Sequence, residues 1–241
     1  MAGSLTIVGI GIQAGEHVSV EALAAIRECD RLFFWVADPV AAGWLEDMHP
    51  AAESLNRFVV GDRSRADAYA SIVEHVLVEV RRPARVCVAV YGNPSYGVDV
   101  TSTFRARGES GGFPVRVLPA ISSLDCLFVD LGVDPFRGGI QLFEANDYLA
   151  RPRGDVATDL VLLQAGLVGV RDFRYEGTAP VALAALLIGL YGADHEVVLY
   201  EASSFPDRPP RIDRVRLDAL ADAKTLTITT LYVPAKRTRP A

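Results

Sequence analysis

The sequence lacks the features of membrane, secreted and disulfide-rich proteins. Its 241 residues hold no apolar run of the roughly 18–20 residues needed to cross a bilayer. The start, MAGSLTIVGIGI, has neither the basic flank nor the small-residue cleavage site of a secretory signal. The three cysteines, Cys29, Cys87 and Cys126, are odd in number and fit no zinc spacing. We therefore expect a cytoplasmic protein with reduced thiols and no membrane partner.

The sequence also has few histidines and no excess of positive charge. The four histidines, at positions 17, 49, 75 and 195, form no pair at metal-ligand spacing, so no metal site is predicted. The formal net charge of −6 argues against a nucleic-acid partner, which requires a basic face. Half of the residues are hydrophobic, which predicts a globular chain with a substantial core.

The first 130 residues alternate strand-like and helix-like patterns. Short buried runs at 5–9, 32–36, 86–90 and 115–118 predict strands. Segments with helical spacing lie between and after them, at 19–27, 41–48, 66–81 and 124–131. This alternation is typical of an α/β fold with a mainly parallel sheet.

The second half has more antiparallel character. Strand-like runs lie at 160–164, 196–200, 211–216 and 226–233, and a helix is predicted from Ala179 to Gly192. Asp134-Pro and Arg151-Pro-Arg-Gly break the pattern between the halves. We therefore expect two α/β lobes, residues 1–133 and residues 134–241, the second with a mixed sheet.

Three loops follow predicted strands of the first lobe, and ligands of parallel sheets bind outside the carboxyl ends of strands. Their sequences are GIGI at 9–12, YGNPSYG at 91–97 and LPAISS at 118–123. The first is no dinucleotide fingerprint, because the third glycine of that motif would come one residue late, at Gly15. No Gly-Lys-Ser/Thr follows, which excludes a P-loop.

The loops have the chemistry of a backbone-lined ligand site. Gly92 and Gly97 leave the backbone uncovered, and Pro94 stiffens the turn between them. Ser122 and Ser123 add hydroxyls at the start of a helix, where N–H groups favour a carboxylate. These features suit a zwitterionic, purine-bearing ligand, and ordinary strand-to-helix turns stay an open alternative.

Taken in chain order, these segments resemble the tetrapyrrole-methylase-like superfamily, the class III methyltransferases that use S-adenosylmethionine (SAM). They are most similar to the borosin-type peptide backbone α-N-methyltransferases. The resemblance covers nearly the whole chain. It rests on Ala37-Asp-Pro39, Arg65-x-x-x-Tyr69, Tyr91-Gly-x-Pro94, Leu118-Pro-x-x-Ser122, Asp130-Leu-Gly-Val-Asp-Pro135, Leu163-Gln-x-Gly-x-Val-Gly169 and a final Leu231-Tyr-Val-Pro234.

The resemblance implies a two-lobed tetrapyrrole methylase-like fold with SAM in the cleft between the lobes and S-adenosylhomocysteine as product. It implies the following cofactor-binding residues: Gly9, Gly11, Tyr91, Gly92, Asn93, Pro94, Tyr96, Ser122, Ser123 and Gln164. Arg65 and Tyr69 match the catalytic pair of the family. Arg65 would hold the amide oxygen or lower the pKa of the phenol, and Tyr69 would act as base. From the residues alone, the alternative stays open that Tyr69 packs in a core and that Arg65 is a solvated residue at the start of a helix.

Departures from the family pattern concern the acceptor. The family has another tyrosine where this chain has Val59, so Tyr96 is a candidate to replace it. The central loop carries Asn93 in place of the usual histidine or aspartate, and Ala120 replaces a glycine. Since only residues 235–241 follow the last predicted strand, we expect a split, stand-alone enzyme. Its substrate would be a separate ribosomal precursor peptide, and the resemblance implies a homodimer.

Two other functions stay open. A methyltransferase of the same fold could act on a tetrapyrrole or another small molecule. The arginines at 151, 153, 171 and 174 would then form a basic funnel for carboxylates. The chain could also be a non-catalytic module that binds SAM or a peptide, for which the change at Val59 is the support.

Overall fold

The computed structural model describes residues 3–61, 63–170 and 180–236. The chain forms two compact units. The first comprises Met1–Cys126 with Ser204–Arg208, and the second comprises Leu127–Ser203 with Pro209–Ala241. The division into lobes after residue 133 stays a prediction. No described helix has the length and apolar character required to cross a membrane.

The first unit is built on a five-stranded parallel sheet in the order β3-β2-β4-β1-β5. The strands are β1 (Ser4–Gly9), β2 (Arg31–Trp35), β3 (Ala52–Ser54), β4 (Arg85–Val90) and β5 (Val115–Leu118). Their side chains, such as Leu5, Phe33 and Val88, are buried on both faces, as in other parallel sheets covered by helices. Four of the strands were predicted. The short edge strand β3 was not.

Four helices connect these strands: α1 (Val20–Glu28), α2 (Pro39–Met48), α3 (Arg65–Val80) and α4 (Asp99–Gly111). A fifth helix, α5 (Ser123–Leu131), follows β5. Ser19 caps α1 by accepting the Ala22 N–H at 3.1 Å, and Asp38 caps α2. α3 buries Ile72, Val76 and Val80 in the core of this unit. Its apolar face is therefore core, which excludes that face as a partner surface.

The second unit is built on a mixed sheet in the order β6-β7-β10-β8-β9. The strands are β6 (Ile140–Glu144), β7 (Asp159–Leu163), β8 (Glu196–Glu201), β9 (Arg211–Arg216) and β10 (Thr230–Val233). β6 and β7 are parallel, and the other pairs are antiparallel. Two helices, α6 (Ala145–Ala150) and α7 (Val181–Tyr191), belong to this unit. The expected pair of sheets, one parallel and one mixed, is confirmed.

The second half differs from the prediction at two places, and some of its predicted residues are not described. β6 and α6 lie in the segment that was expected only to break the pattern. β10 begins at Thr230 and not at Leu226, because Leu226 and Thr229 close a turn through two hydrogen bonds of 2.7 and 3.0 Å. Ala179, Arg171, Arg174 and the tail from residue 237 lie outside the described residues.

Candidate active site

The three predicted loops meet at the carboxyl edge of the parallel sheet. Gly9, the last residue of β1, shows this directly. A Cβ atom added to it would lie 2.4 Å from the Gly92 carbonyl oxygen, 2.7 Å from the Ala120 Cβ and 2.8 Å from the Pro94 Cδ. Contacts this short exclude any side chain. Gly9 therefore serves the packing of the loops against one another.

Gly11 and Gly92 join the first two loops. The Gly92 N–H donates to the Gly11 carbonyl at 2.9 Å, and the Gly11 N–H donates back at 3.3 Å. Gly11 has a φ of +75°, and an added Cβ would collide with His17. Its glycine is thus required by backbone conformation and by local packing.

Gly92 has a different surrounding. Its φ is +67°, and the only atom near an added Cβ is the Ile12 Cδ1 at 3.8 Å. Tyr91 beside it is half-buried, and burial raises the pKa of its phenol against a hydrogen bond with Ser204 that lowers it. Gly92 is therefore a buried residue that combines a glycine conformation with room for about one methyl group beside its Cα.

Asn93 and Ser122 use their side chains to hold the loops. The Asn93 amide donates to the Ala120 carbonyl at 2.9 Å and accepts the Ser95 N–H at 3.0 Å. The Ser122 hydroxyl donates to the Asp125 carboxylate at 2.9 Å and accepts the Leu124 N–H at 3.2 Å. Ser122 is thus the residue that caps α5. The carboxylate at the start of this helix is the side chain of Asp125 and not part of a ligand.

The remaining predicted cofactor residues are placed as follows. Pro94 is buried, whereas Tyr96 on the same loop is 47% exposed. Ser123 is the first residue of α5. Gln164 follows β7 in the second unit with φ +58° and ψ +34°. A non-glycine residue in this left-handed conformation is uncommon, and such residues concentrate at functional sites.

Arg65 and Tyr69 lie on the first turns of α3, as the spacing predicted. The N-termini of α3 and α4 both face the carboxyl edge of the sheet, because each helix runs back antiparallel to the strands. The Tyr69 ring lies 5.3 Å from the ring of Trp35, the last residue of β2. Arg65 and Tyr69 therefore share an edge with the loop that contains Gly92.

The electrostatics of Tyr69 differ from the expected lowering of its pKa. Burial raises the pKa of the phenol above its ordinary value of 10.0, and the negative charge of Asp99 raises it further. The positive charge of Arg65 lowers the pKa, but does not offset the burial. Tyr69 is consequently a neutral phenol at neutral pH.

Sequence reasoning did not select Trp35 or Asp99. Both stood beside motifs that it did select, since Trp35 precedes the Ala37-Asp38-Pro39 segment and Asp99 follows the glycine loop. An acidic residue in the first turn of a helix is also expected because it stabilises the helix dipole. Such a residue is therefore weak evidence for a functional role. Val59, where the family has tyrosine, packs on the same core cluster as Tyr69.

Comparisons with known proteins identify the family of this chain. A family model described as Tetrapyrrole (Corrin/Porphyrin) Methylases matches residues 4–221. The methyltransferase/ribosomally synthesized cyclic peptide gymnopeptides precursor of Gymnopus fusipes is 36% identical over 243 residues, 98% of this chain and 58% of that protein. A type III borosin methyltransferase/cyclic peptide precursor of Anomoporia bombycina is 37% identical over 248 residues, 99% of this chain and 29% of that protein.

A solved structure supports the fold. Uroporphyrin-III-C-methyltransferase from Thermus thermophilus has a TM-score of 0.67 at 18% identity, with 98% of this chain and 93% of that chain covered. The chain spans less than two thirds of the length of the two curated relatives above. The family match over most of the chain is the finding that fixes its membership. The chain belongs to the tetrapyrrole (corrin/porphyrin) methylase family, whose members are SAM-dependent methyltransferases.

Proposed function

We propose that this chain transfers methyl groups from SAM to backbone amide nitrogens of a ribosomal precursor peptide. The observation that carries the proposal is the placement of Arg65 and Tyr69 at the loop edge of the first sheet. The names of the relatives from Gymnopus fusipes and Anomoporia bombycina, which combine a methyltransferase with a cyclic peptide precursor, support the choice of acceptor.

The loop after β4 has the shape required for the cofactor. Gly92 has no side chain at the end of β4, and a Cβ atom added there would occupy the room beside Ile12. Tyr91, Gly92 and Pro94 would hold the methionine end of SAM, which supplies an electrophilic methyl group on sulfur. In this proposal Gln164 also belongs to the cofactor site, as its left-handed backbone suggests. Gly9, Gly11, Asn93 and Ser122 would act indirectly, by fixing the loops.

The chemistry requires help from side chains because an amide nitrogen is a poor nucleophile. Its lone pair is delocalised into the carbonyl. Arg65 would stabilise the negative charge that builds on the carbonyl oxygen as the N–H proton leaves. Tyr69 would accept that proton as phenolate, the minor form at neutral pH given its raised pKa. A phenolate with a raised pKa is scarce but strongly basic, which suits a weakly acidic amide.

The proposal extends to a peptide supplied as a separate chain and to a homodimer. α7 supports the dimer, because every residue before Tyr191 in it is apolar and the described residues leave one of its faces uncovered. On that face Val181 is 60% exposed, and Ala182 and Ala185 are exposed as well. A helix that is apolar all round is normally buried, so a second copy is a fitting partner for it.

A tetrapyrrole acceptor has less support. Arg151 and Arg153 are the described members of the predicted basic funnel, and both pair with the Asp147 carboxylate. One carboxylate thus compensates one of their two positive charges, which leaves a single net positive charge for an acceptor with many carboxylates.

The test is the intact mass of a precursor peptide after incubation with the purified chain and SAM. The peptide is added as a separate molecule, with an acidic helical leader and a Val/Ile/Ala-rich segment. We expect mass gains in whole methylene steps, localised by fragmentation to backbone nitrogens. Methylation of side chains, or of porphyrinogen added in parallel while the peptide stays unmodified, would contradict the proposal.

A further inference from the structure

Two of the three cysteines, Cys29 and Cys87, come together at the C-terminal end of α1. Cys29 directly follows this helix, and Cys87 lies in β4, the middle strand of the first sheet. Cys87 is a buried member of the core cluster to which α1, α2 and the sheet contribute, and Cys29 packs against the same cluster. Both are free thiols. The fold therefore joins two thiols that are far apart in the sequence.

Hydrogen bonds connect the two thiols to each other and to α1. The Cys87 S–H donates to the Cys29 sulfur, and the Cys29 S–H donates to the Ile26 carbonyl at 3.2 Å. The first of these bonds places the two sulfur atoms in contact. A movement of one sulfur toward the other, without a change of neighbours, leads to the disulfide distance of about 2.05 Å.

The two residues differ in how firmly their backbones are held. Cys87 pairs with Thr6 of β1 on one side and with Leu32 of β2 on the other. Cys29 lies between α1 and β2 with φ −69° and ψ 159°, and its carbonyl accepts a hydrogen bond from the His49 ring at 2.9 Å. Because Cys29 is outside the sheet, it is the residue that can move to close a bond.

Exposure and acidity give the two thiols different roles. Cys29 is partly exposed, whereas Cys87 is fully buried. The hydrogen bond from Cys87 lowers the pKa of the Cys29 thiol, and the charge of Arg85 adds to this, whereas burial and Asp30 oppose it. The same hydrogen bond and burial raise the pKa of Cys87. Since oxidants react with the thiolate, Cys29 is the first of the two to be oxidised.

We propose that Cys29 and Cys87 form a reversible oxidation site, in which a peroxide attacks Cys29 and Cys87 resolves the product as a disulfide. The inference does not rest on the proposed function, because neither residue belongs to the candidate loops or to α3.

The chemistry has two steps when the oxidant is hydrogen peroxide. The Cys29 thiolate attacks one oxygen, the O–O bond breaks, and the departing hydroxide takes the proton that Cys29 released and leaves as water. Cys29 is thereby oxidised to a sulfenic acid. The Cys87 sulfur then attacks the Cys29 sulfur, the S–O bond breaks, and the hydroxyl leaves with the Cys87 proton as a second water. A dithiol reductant returns both residues to thiols by exchange.

The test is peptide mapping of the folded, reduced full chain after a short exposure to hydrogen peroxide. Remaining thiols are blocked with N-ethylmaleimide in denaturant, and the digest is analysed without reductant. We expect peptides joined through Cys29 and Cys87, lighter by two hydrogen atoms than the two thiol peptides together, with Cys126 carrying the blocking group. Dithiothreitol should separate the pair. Cys29 that stays reduced, becomes a sulfinic acid or joins Cys126 or a second chain would overturn the proposal.

Variants separate the two roles. Cys87→Ala should lose the cross-link and leave Cys29 as a sulfenic acid that dimedone captures, and Cys87→Val repeats this with a larger apolar side chain in the core. Cys29→Ala should lose both the cross-link and the capture. Cys126→Ala is the matched control and should form the cross-link as the wild type does. Equal capture by dimedone in the wild type and in both Cys87 variants would show that Cys87 resolves nothing.

A comparison with unfolded chain checks that the fold selects the pair. Peroxide added in denaturant should give a lower yield of the Cys29–Cys87 pair and more pairs that include Cys126, because the contact between the two sulfur atoms depends on α1 and β4. Two cysteines that serve only as small apolar residues would show no such preference in the folded chain. An equal yield with and without denaturant would therefore contradict the proposal.

Discussion

The carboxyl edge of the first sheet holds two sets of residues that look alike in the sequence and differ in the structure. Gly9, Gly11, Asn93 and Ser122 are committed, since their conformations and hydrogen bonds serve neighbouring loops. Gly92 and Tyr69 form the open set: a Cβ atom added to Gly92 meets only the Ile12 side chain among the described residues, and Tyr69 carries a phenol with a raised pKa.

This difference shows that the residues of one sequence motif need not have the same function. Within the single stretch Tyr91–Gly97, Asn93 binds two neighbouring loop groups while Gly92 leaves space for a ligand. Substitutions in the committed set should therefore change stability first, and those in the open set should change binding or turnover first. The predictions below test this division, from the largest expected effect to the smallest.

Tyr69→Phe should lower turnover by about 100- to 10,000-fold, the range for a lost general base. Its folding should remain intact, because the ring that packs at 5.3 Å from Trp35 is retained. Initial rates of peptide methylation and a thermal melt measure the two effects. Tyr96→Phe is the control, since its exposed side chain should matter less. Equal losses in both variants would contradict the assignment.

The methylation rate should rise with pH. Burial and Asp99 raise the pKa of Tyr69, so its phenolate fraction grows through the whole range between about pH 7 and 9.5. Arg65→Ala should make the rise begin at still higher pH, since it removes the charge that lowers this pKa. A rate that stays flat across this range would rule out Tyr69 as the base.

Gly9→Ala should destabilise the fold by about 3 kcal/mol or more, as expected for overpacking against backbone. The added Cβ would lie 2.4 Å from the Gly92 carbonyl oxygen. Gly43→Ala is a matched control within α2, where an added Cβ meets nothing within 4 Å. It should stabilise by about 0.5–1 kcal/mol. Urea unfolding of both variants gives the comparison, and similar midpoints would refute it.

Ser122→Ala should cost about 1 kcal/mol, the typical value of a lost helix cap. The hydroxyl bonds to Asp125 and to the Leu124 N–H. Ser123→Ala, one residue later, should change stability by no more than about 0.5 kcal/mol, as substitutions without such contacts do. Denaturant midpoints for the pair check this, and a larger loss at Ser123 would reverse the ranking.

Much of the fold follows from sequence pattern because parallel strands are buried on both faces. The runs at β1, β2, β4 and β5 stand out for this reason. β3 has only three residues, which is too short for a periodic signal. β6 and α6 were hidden because the prolines at 135 and 152 flank them.

The site was only partly predictable. The position of the loops follows from the strand order, and Arg65 and Tyr69 follow from helical spacing and family resemblance. The capping role of Ser122 could have been read from Asp125 three residues on. The raised pKa of Tyr69 could not, since it depends on burial by segments distant in the chain.

The measurement that tests the division most directly is calorimetric titration of SAM into the wild type, Gly92→Ala and Ser122→Ala. The account predicts that Gly92→Ala weakens SAM binding by about tenfold or more, because a methyl group enters the space beside bare backbone. Ser122→Ala should retain wild-type affinity, since its hydroxyl is engaged within the chain. Equal affinities in all three proteins, or a greater loss at Ser122, would contradict the account.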